Sequence, residues 1–308
     1  MQDNKVEYKK LCEQEKNIPI FMQPWWLDAV CTEGAGWDVA LARNTRGEIV
    51  AAMAFCIKKK WGFSMITTPQ LTQFTGIWFK NKDNINQSTE QLFLKQIIAQ
   101  LPHFQHLILR FNYFITDWLP FYWAGFQQTT RYTYIIPDTS DLDTVFNNFD
   151  SNTKREIRQA ATKYAIEEST DFDLFLKLKH PKDNTPLSIW QNLDTILTEK
   201  QCKKIYFTRN IETNTIDATA YIIWDKNCTY YLASGSSEVG RKNHAMHLLI
   251  WKAIQDSADN TPIFDFEGSM LETVEPFFRR FGAVQKPYFQ ISKFNNRFLQ
   301  LVFMLLKK

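Results

Sequence analysis

Apolar residues recur along this chain with two different periods, and these periods predict most of its helices and strands. Spacings of three and four residues predict helices over residues 89–101, 151–164, 186–199 and 245–258. Short helices are predicted within 19–31, where Pro24 begins the helix, and over 118–125 and 276–281. Short apolar runs between turn residues predict strands over 37–42, 49–58, 62–68, 106–111, 126–136, 204–209, 216–224, 229–234, 263–267 and 284–293.

The order of the predicted elements occurs twice, and individual residues correspond as well. Pro120 and Gly125 match Pro276 and Gly282, at offsets of 156 and 157 residues. The same offset of 157 aligns apolar positions of helix 89–101 with those of helix 245–258. An internal repeat of this length predicts two similar domains, which we place at 1–145 and 146–308, with the basic helix 151–164 at the start of the second.

The architecture of each domain follows from the connections between its elements. A meander of strands pairs in antiparallel fashion, and the helix that follows predicts one parallel crossover. The sequence therefore predicts an α/β protein with α+β mixed sheets. Because a ligand is expected where two parallel strands diverge, the loop before each crossover helix is the predicted site.

Composition and charge restrict the function classes. A net charge of +3 is too small to indicate nucleic acid binding on its own. The five cysteines are scattered without metal-ligand spacing, which is typical of reduced thiols and predicts a cytoplasmic protein. The N-terminal residues lack the apolar segment of a signal peptide, and no apolar run approaches the ~20 residues that span a bilayer.

The second copy carries the stretch with the most candidate chemistry, residues 229–269. It predicts a buried strand, a polar and basic loop, an amphipathic helix, and a strand that ends in acid and glycine. The loop brings Arg241, Lys242 and two histidines to the N-terminus of a helix, where phosphate binding is favourable.

Three segments carry a resemblance to a known family: FDFEGS at 264–269, FFRRFGA at 277–283 and the basic helix NTKREIRQA at 152–160. With the order of elements over residues 20–295, they resemble the GNAT acyltransferase fold in tandem duplication, and in particular its Fem-type branch. That branch includes peptidoglycan-bridge aminoacyltransferases and many uncharacterised GNAT-like proteins. The resemblance implies N-acyl transfer to an amine, with acyl-CoA (acetyl-CoA as the usual donor) or aminoacyl-tRNA as the donor.

One departure from the family pattern bears on the donor. GNAT proteins carry a Gln/Arg-x-x-Gly-x-Gly/Ala run at the crossover helix, whereas residues 240–245 here contain one glycine. This weakens the expectation of CoA more than it weakens the family. The predicted donor-binding residues are Ser236, Gly240, Arg241, Lys242, Asn243 and His244, with the backbone amides of 240–245; the alternative is an ordinary exposed loop.

The catalytic candidates are acids and a phenol near the ends of strands. Asp265 and Glu267 lie two residues apart, which predicts one face of a strand. Glu267 is the candidate base or amine-orienting group, and the alternative is a structural acid paired with Arg279 or Arg280. Tyr288 is a candidate proton donor to the leaving group, or else a buried structural residue.

Further candidates concern metal, acceptor and membrane. His244 and His247 lie three residues apart, but no carboxylate pair is near them in sequence, so no metal is expected. The residues Lys154, Arg155 and Arg158 predict a face for an anionic acceptor, or a solvated helix surface. The tail 297–308 is expected to pack against the second domain or to lie on a membrane surface.

The sequence supports two main hypotheses of function. The first is an N-acyltransferase acting on an amine of a cell-envelope or polysaccharide precursor, either a small molecule or lipid-linked. The second is a non-catalytic protein that binds an anionic ligand on a duplicated GNAT scaffold. A third, tRNA binding without CoA, predicts steep salt dependence. The sequence leaves the oligomeric state open.

Overall fold

A computed structural model of the protein describes residues 2–32, 34–60, 62–268, 270–296 and 300–301. Up to residue 136 its helices are α1 Gln2–Gln14, α2 Pro24–Val30, α3 Gln87–Ala99 and α4 Leu119–Trp123. Its strands over the same range are β1 Ala35–Arg43, β2 Ile49–Lys60, β3 Phe63–Thr67, β4 Ile77–Phe79, β5 His106–Arg110 and β6 Gln127–Ile136.

The remaining described residues repeat this order with additional helices. The helices are α5 Leu142–Asn147, α6 Ser151–Ala161, α7 Phe172–Leu178, α8 Leu187–Lys200, α9 Glu238–Lys242, α10 Ala245–Ser257 and α11 Glu275–Arg279. The strands are β7 Tyr164–Ser169, β8 Lys203–Asn210, β9 Ile216–Trp224, β10 Cys228–Ser236, β11 Ile263–Asp265 and β12 Val284–Phe294. The prediction of an α/β fold with mixed sheets is confirmed.

The chain forms two compact units, Met1–Arg131 with Pro287–Lys308, and Tyr132–Lys286. The sheet of the first unit has the order β1-β2-β3-β5-β12, with β4 paired to β2. The sheet of the second has the order β6-β11-β10-β9-β8-β7. Each sheet has one parallel pair, β3 with β5 and β10 with β11, and α3 or α10 makes the crossover.

The last strand of each repeat pairs outside its own repeat. The first repeat ends in β6, whose Ile135 and Ile136 pair with Asp265 and Phe264 of β11 in the second unit. The second repeat ends in β12, whose residues 290–294 pair with β5 in the first unit. The contacts therefore divide the chain at 131/132 and 286/287. The division at 145/146, which separates the two sequence repeats, stays a prediction.

Each unit buries its own apolar core around the crossover helix. In the first, α3 begins after Asn86, whose side chain accepts a hydrogen bond from the Thr89 amide, and it buries Leu94 and Ile97. In the second, α10 buries Leu249 and Ile254. Ile97 and Ile254, which match between the two sequence repeats, are therefore buried in both crossover helices.

Several elements were not predicted, namely α1, β4, α5, β7, α7 and α9. They are short or largely polar, so their apolar periodicity is weak. The predicted helix 151–164 ends at Ala161, and its N-cap is Asp150. Among the described residues, no helix is both long and apolar enough to span a bilayer. The tail 297–308 lies outside the described residues except for 300–301.

Candidate functional site

The parallel strands of the second unit diverge near the predicted site. Strands β10 and β11 pair only from Cys228 opposite Ile263 to Tyr230 opposite Asp265. Beyond this point β10 continues to Ser236 along β9, with a bulge between Tyr231 and Ala233. Since a bulge bends its strand and interrupts the ladder, it helps β10 turn away from β11. The sequence predicted the divergence but not the bulge.

A segment after α7 covers part of this free edge of β10. The carbonyl oxygen of Ser234 accepts a hydrogen bond from the His180 amide at 3.0 Å. A Cβ on Gly235 would lie 1.7 Å from the carbonyl oxygen of Leu178, so the close approach requires glycine. The free edge of β10 is therefore closed at Ser234 by the chain itself.

Asp265, predicted as a catalytic acid, is an anchor within the second unit. Its side chain is buried, with 1% exposure. One carboxylate oxygen, Oδ1, accepts hydrogen bonds from the Thr133 hydroxyl at 2.5 Å and from the Glu267 amide at 2.7 Å. These contacts make Asp265 a positioning residue for the turn that follows β11.

Glu267 does not share a strand face with Asp265, because β11 ends at Asp265 and the backbone then turns. Glu267 has φ +57°, a left-handed conformation that is uncommon for glutamate. Gly268 follows at φ +70°, and a Cβ there would lie 2.3 Å from the Tyr132 carbonyl oxygen. A strained, half-buried acid at the end of a parallel strand is a functional-site candidate on physical grounds.

The predicted donor loop is mostly a short helix. Ser237 is the N-cap of α9, and its Oγ accepts a hydrogen bond from the Gly240 amide at 2.9 Å. The amides of Arg241, Asn243 and His244 donate to carbonyl oxygens of the same segment. These four amides have hydrogen-bond partners within the chain, and their contact with a phosphate stays a prediction.

Asp217 of β9 holds this short helix in place. Its Oδ1 accepts from the Ser237 hydroxyl at 2.7 Å, and its Oδ2 accepts from the Tyr164 hydroxyl at 3.1 Å. Gly240 is buried against this strand, and a Cβ on it would lie 2.4 Å from the Asp217 carbonyl oxygen. Its glycine is explained by packing and needs no ligand.

The polar side chains of the loop make local contacts. Arg241 donates to the carbonyl oxygen of Ser236 at 2.7 Å, and Lys242 pairs with Glu238 at 2.9 Å on the exposed surface. Asn243 accepts from Lys163 at 2.6 Å. An ion pair as exposed as that of Lys242 contributes little stability, so its ammonium is available to an anion at small cost.

The two histidines meet a carboxylate that is distant in sequence. Helix α6 places Glu156 beside the start of α10, where His247 Nε2 lies 3.1 Å from Glu156 Oε2. His244 Nδ1 lies 3.9 Å from Glu156 Oε1. Burial lowers the pKa of His247 to about 4, with further contributions from His244 and Arg280, so its imidazole is neutral at pH 7.

Aromatic rings connect this cluster with the Glu267 turn. The His247 ring packs against Phe277 and Phe281, at centroid distances of 4.8 and 5.8 Å. Phe281 in turn lies 5.9 Å from Phe266, the residue before Glu267. Contacts through Phe281 therefore connect His247 with the residue before Glu267.

The basic residues of α6 do not converge on one point. Lys154 donates to the Asn147 carbonyl oxygen at 3.0 Å, and the Arg158 guanidinium lies 5.7 Å from the centre of the Phe146 ring. Arg155 is exposed. Their role toward an anionic acceptor stays a prediction.

The remaining predicted residues have separate surroundings. Tyr288 is buried, with 6% exposure, in the part of β12 that belongs to the first unit. Arg279, which the sequence offered as an ion-pair partner of Glu267, pairs with Glu275 at 2.9 Å.

The fold is that of tandem GNAT proteins, with two units that each have one parallel pair of strands and a crossover helix. The structure titled "Crystal structure of FemX" matches with a TM-score of 0.68 and 13% identity, over 99% of this chain and 98% of that one. A tandem GNAT protein from the clavulanic acid biosynthesis pathway matches with a TM-score of 0.56 and 8% identity over 96% of both chains. The L-PGS of Bacillus licheniformis matches with a TM-score of 0.54 and 11% identity, over 94% of this chain and 92% of that one.

The comparisons by sequence found no relative: no family model and no curated protein matches this chain. The resemblance stated from the sequence is confirmed at the level of the fold, by structures that are at most 13% identical.

Proposed function

We propose that this protein is an N-acyltransferase that moves an acyl or aminoacyl group from a thioester or ester donor to an amine. The observation that carries the proposal is the Glu267 turn, which places a half-buried carboxylate beyond the diverging ends of β10 and β11. The fold shared with FemX and with a tandem GNAT protein supports the same class of reaction.

Acyl transfer to an amine requires few chemical groups from the protein. The neutral amine attacks the carbonyl carbon, the new C–N bond forms, and the C–S or C–O bond to the leaving group breaks. The amine nitrogen loses one proton, and the leaving thiolate or alkoxide gains one. Glu267 accepts the amine proton in this proposal, directly or through one water, as a general base. Alignment of the two substrates can contribute ~7–11 kcal/mol to lowering the barrier.

Donor and acceptor are assigned by chemical class. The exposed cations Arg241 and Lys242 at the end of α9 suit the phosphates of acyl-CoA or the backbone of aminoacyl-tRNA. The paired amides of α9 favour side-chain contacts with the phosphate over a backbone cradle. An amine of a cell-envelope or polysaccharide precursor is the proposed acceptor, and Lys154, Arg155 and Arg158 would contact its anionic group.

The test uses Glu267→Gln, which keeps the size of the side chain and removes the base. Turnover would be measured with acetyl-CoA, and separately with aminoacyl-tRNA, against a panel of amines. We expect kcat to fall by about 10²–10⁴-fold, because a general base contributes on that order. Glu272→Gln is the matched control, since Glu272 is exposed in the same loop.

Two outcomes would contradict the proposal. Equal turnover in the wild type and Glu267→Gln would remove Glu267 from the mechanism. Tight donor binding without any product from the amine panel would favour the non-catalytic binding protein.

A further inference from the structure

We infer that Glu156, His244 and His247 form a binding site for one divalent transition-metal ion of the zinc class. This role is independent of the proposed acyl transfer. Their ligand atoms, two imidazole nitrogens and one carboxylate oxygen, all lie within 4.8 Å of one another. The chemistry of the three donors and the geometry of two helices carry the inference.

The distances fit a tetrahedral site with small adjustments. Bonds of ~2.0–2.1 Å from zinc to nitrogen or oxygen place two ligand atoms ~3.3 Å apart. His247 Nε2 lies 3.1 Å from Glu156 Oε2, and His244 Nδ1 lies 3.9 Å from the other carboxylate oxygen, Oε1. Rotation of the half-exposed His244 ring is the main change that a bound ion would require.

The backbone already presents the three side chains to one point. His244 is the N-cap of α10 at φ +59°, and His247 follows in the first turn of the helix. Glu156 lies on α6 between Thr153 and Ala160, which share its side of the helix at spacings of three and four residues and are both buried. Two elements distant in sequence therefore supply a complete set of three ligands.

The donors select the class of metal. Imidazole nitrogen suits zinc, cobalt, nickel and copper, whereas calcium and magnesium prefer sites of oxygen alone. His247 would bind the ion through Nε2, with its ring proton on Nδ1. Side-chain exposures of 31% for His244 and 14–16% for the other two leave a side open to solvent. Three protein ligands with an open fourth position is the pattern of zinc sites that bind water or a substrate oxygen.

The experiment measures metal binding by the full chain after treatment with a chelator. Zn²⁺ would be titrated by calorimetry, and Co²⁺ would be followed by its visible absorption, which reports tetrahedral coordination. We expect one ion per chain for the wild type. Glu156→Gln keeps the shape of the side chain and removes its charge, and His244→Asn keeps a residue that tolerates positive φ. Each variant is expected to bind about tenfold more weakly or worse.

His103→Ala is the matched control, because His103 is an exposed histidine of the first unit and is not in the cluster. Thermal unfolding gives a readout independent of activity and of calorimetry: Zn²⁺ should raise the midpoint for the wild type and His103→Ala, and not for Glu156→Gln. Equal binding by all four proteins would show adventitious surface binding and would overturn the site, as would a wild type that binds no cobalt.

Discussion

Glu267 and Gly268 adopt two consecutive left-handed conformations, and this local strain fixes where the proposed base lies. A glutamate at φ +57° costs on the order of 1–2 kcal/mol relative to an ordinary backbone conformation. The hydrogen bond from its amide to buried Asp265 helps to offset that cost. The turn is therefore maintained by an acid two residues earlier, which the sequence had presented as a second catalytic group.

The first prediction concerns the close approach at Gly268. Gly268→Ala should lower the free energy of unfolding by about 2–4 kcal/mol, because the new Cβ combines left-handed strain with a backbone oxygen 2.3 Å away. It should also reduce turnover, since the Tyr132 carbonyl and the Glu267 turn must move apart. Urea unfolding and steady-state kinetics would measure the two effects.

Gly47→Ala is the control for the conformational part of this effect. Gly47 also has positive φ, +81°, but a Cβ there meets no atom within 4 Å. Its loss should be smaller, about 1–2 kcal/mol, and turnover should be unchanged. Equal losses of stability in the two variants would show that the contact with Tyr132 is unimportant.

Single residues could be predicted only where local chemistry decides their role. The sequence identified the acid before Gly268. It also placed Asp265 and Glu267 on one strand face, which would require the strand to continue to Glu267, whereas β11 ends at Asp265. It also missed Asp217, because nothing in the sequence of β9 shows that Ser237 and Tyr164 will donate hydrogen bonds to it.

At the scale of the elements, α10 follows the candidate loop, and a partly buried polar network joins it to β8 of the sheet. Asp256 at the end of α10 accepts hydrogen bonds from Lys252 and from the Tyr206 hydroxyl of β8, both at 2.6 Å. Burial raises the pKa of Asp256, but the hydrogen bonds from Lys252 and Tyr206 outweigh it, so this pKa lies below the ordinary value.

This network gives a prediction for stability and pH. Because the folded state binds the Asp256 proton less tightly than the unfolded state, the carboxylate stabilises the fold above pH ~3.9, and this contribution is lost as the pH falls through the lower folded-state pKa. Asp256→Asn should therefore lose about 1–3 kcal/mol at pH 7 and show a smaller further loss on acidification than the wild type. Urea unfolding at pH 7 and pH 3 measures both.

Asp259→Asn is the matched control, since Asp259 is exposed just beyond the end of α10. It should retain the stability of the wild type at pH 7 and its full decline toward pH 3. An Asp256→Asn curve parallel to that of the wild type would contradict the assignment.

Elements with a sustained apolar period were predicted well, and elements defined by tertiary contacts were not. Helix α10 was predicted at 245–258 and lies at Ala245–Ser257. The sequence predicts a loop where helix α9 lies, because its five residues are too few to show a helical period and its N-cap contact depends on Asp217.

At the scale of the whole molecule, the exchange of terminal strands sets how the chain can be divided. The second unit needs residues 132–136 of β6, because Ile135 and Ile136 pair with β11 and Thr133 donates a hydrogen bond to Asp265. The first unit needs residues 290–294 of β12, which pair with β5. A cut between the two sequence repeats therefore leaves each unit without a strand.

The prediction compares two fragments of the second half. The fragment 132–286 should unfold in one cooperative transition, whereas 146–308 should have lower helix and strand content and no sharp transition, because it lacks the partner of β11. Far-UV circular dichroism during heating would measure both. If the two fragments unfolded with the same midpoint, the pairing of β6 with β11 would not be essential to this unit.

The sequence by itself determined the repeat and the crossover helices, because apolar periodicity and turn residues are local properties of the chain. Its resemblance to tandem GNAT proteins rested on three short segments, and the structure confirms it at the level of the fold. The tertiary structure alone decided which unit each terminal strand joins, since neither β6 nor β12 carries a local signal for its partner. It also decided that Glu156 meets His244 and His247. The sequence predicted no metal ligand there, because Glu156 is 88 residues from His244, and only the packing of α6 on α10 brings the three side chains together.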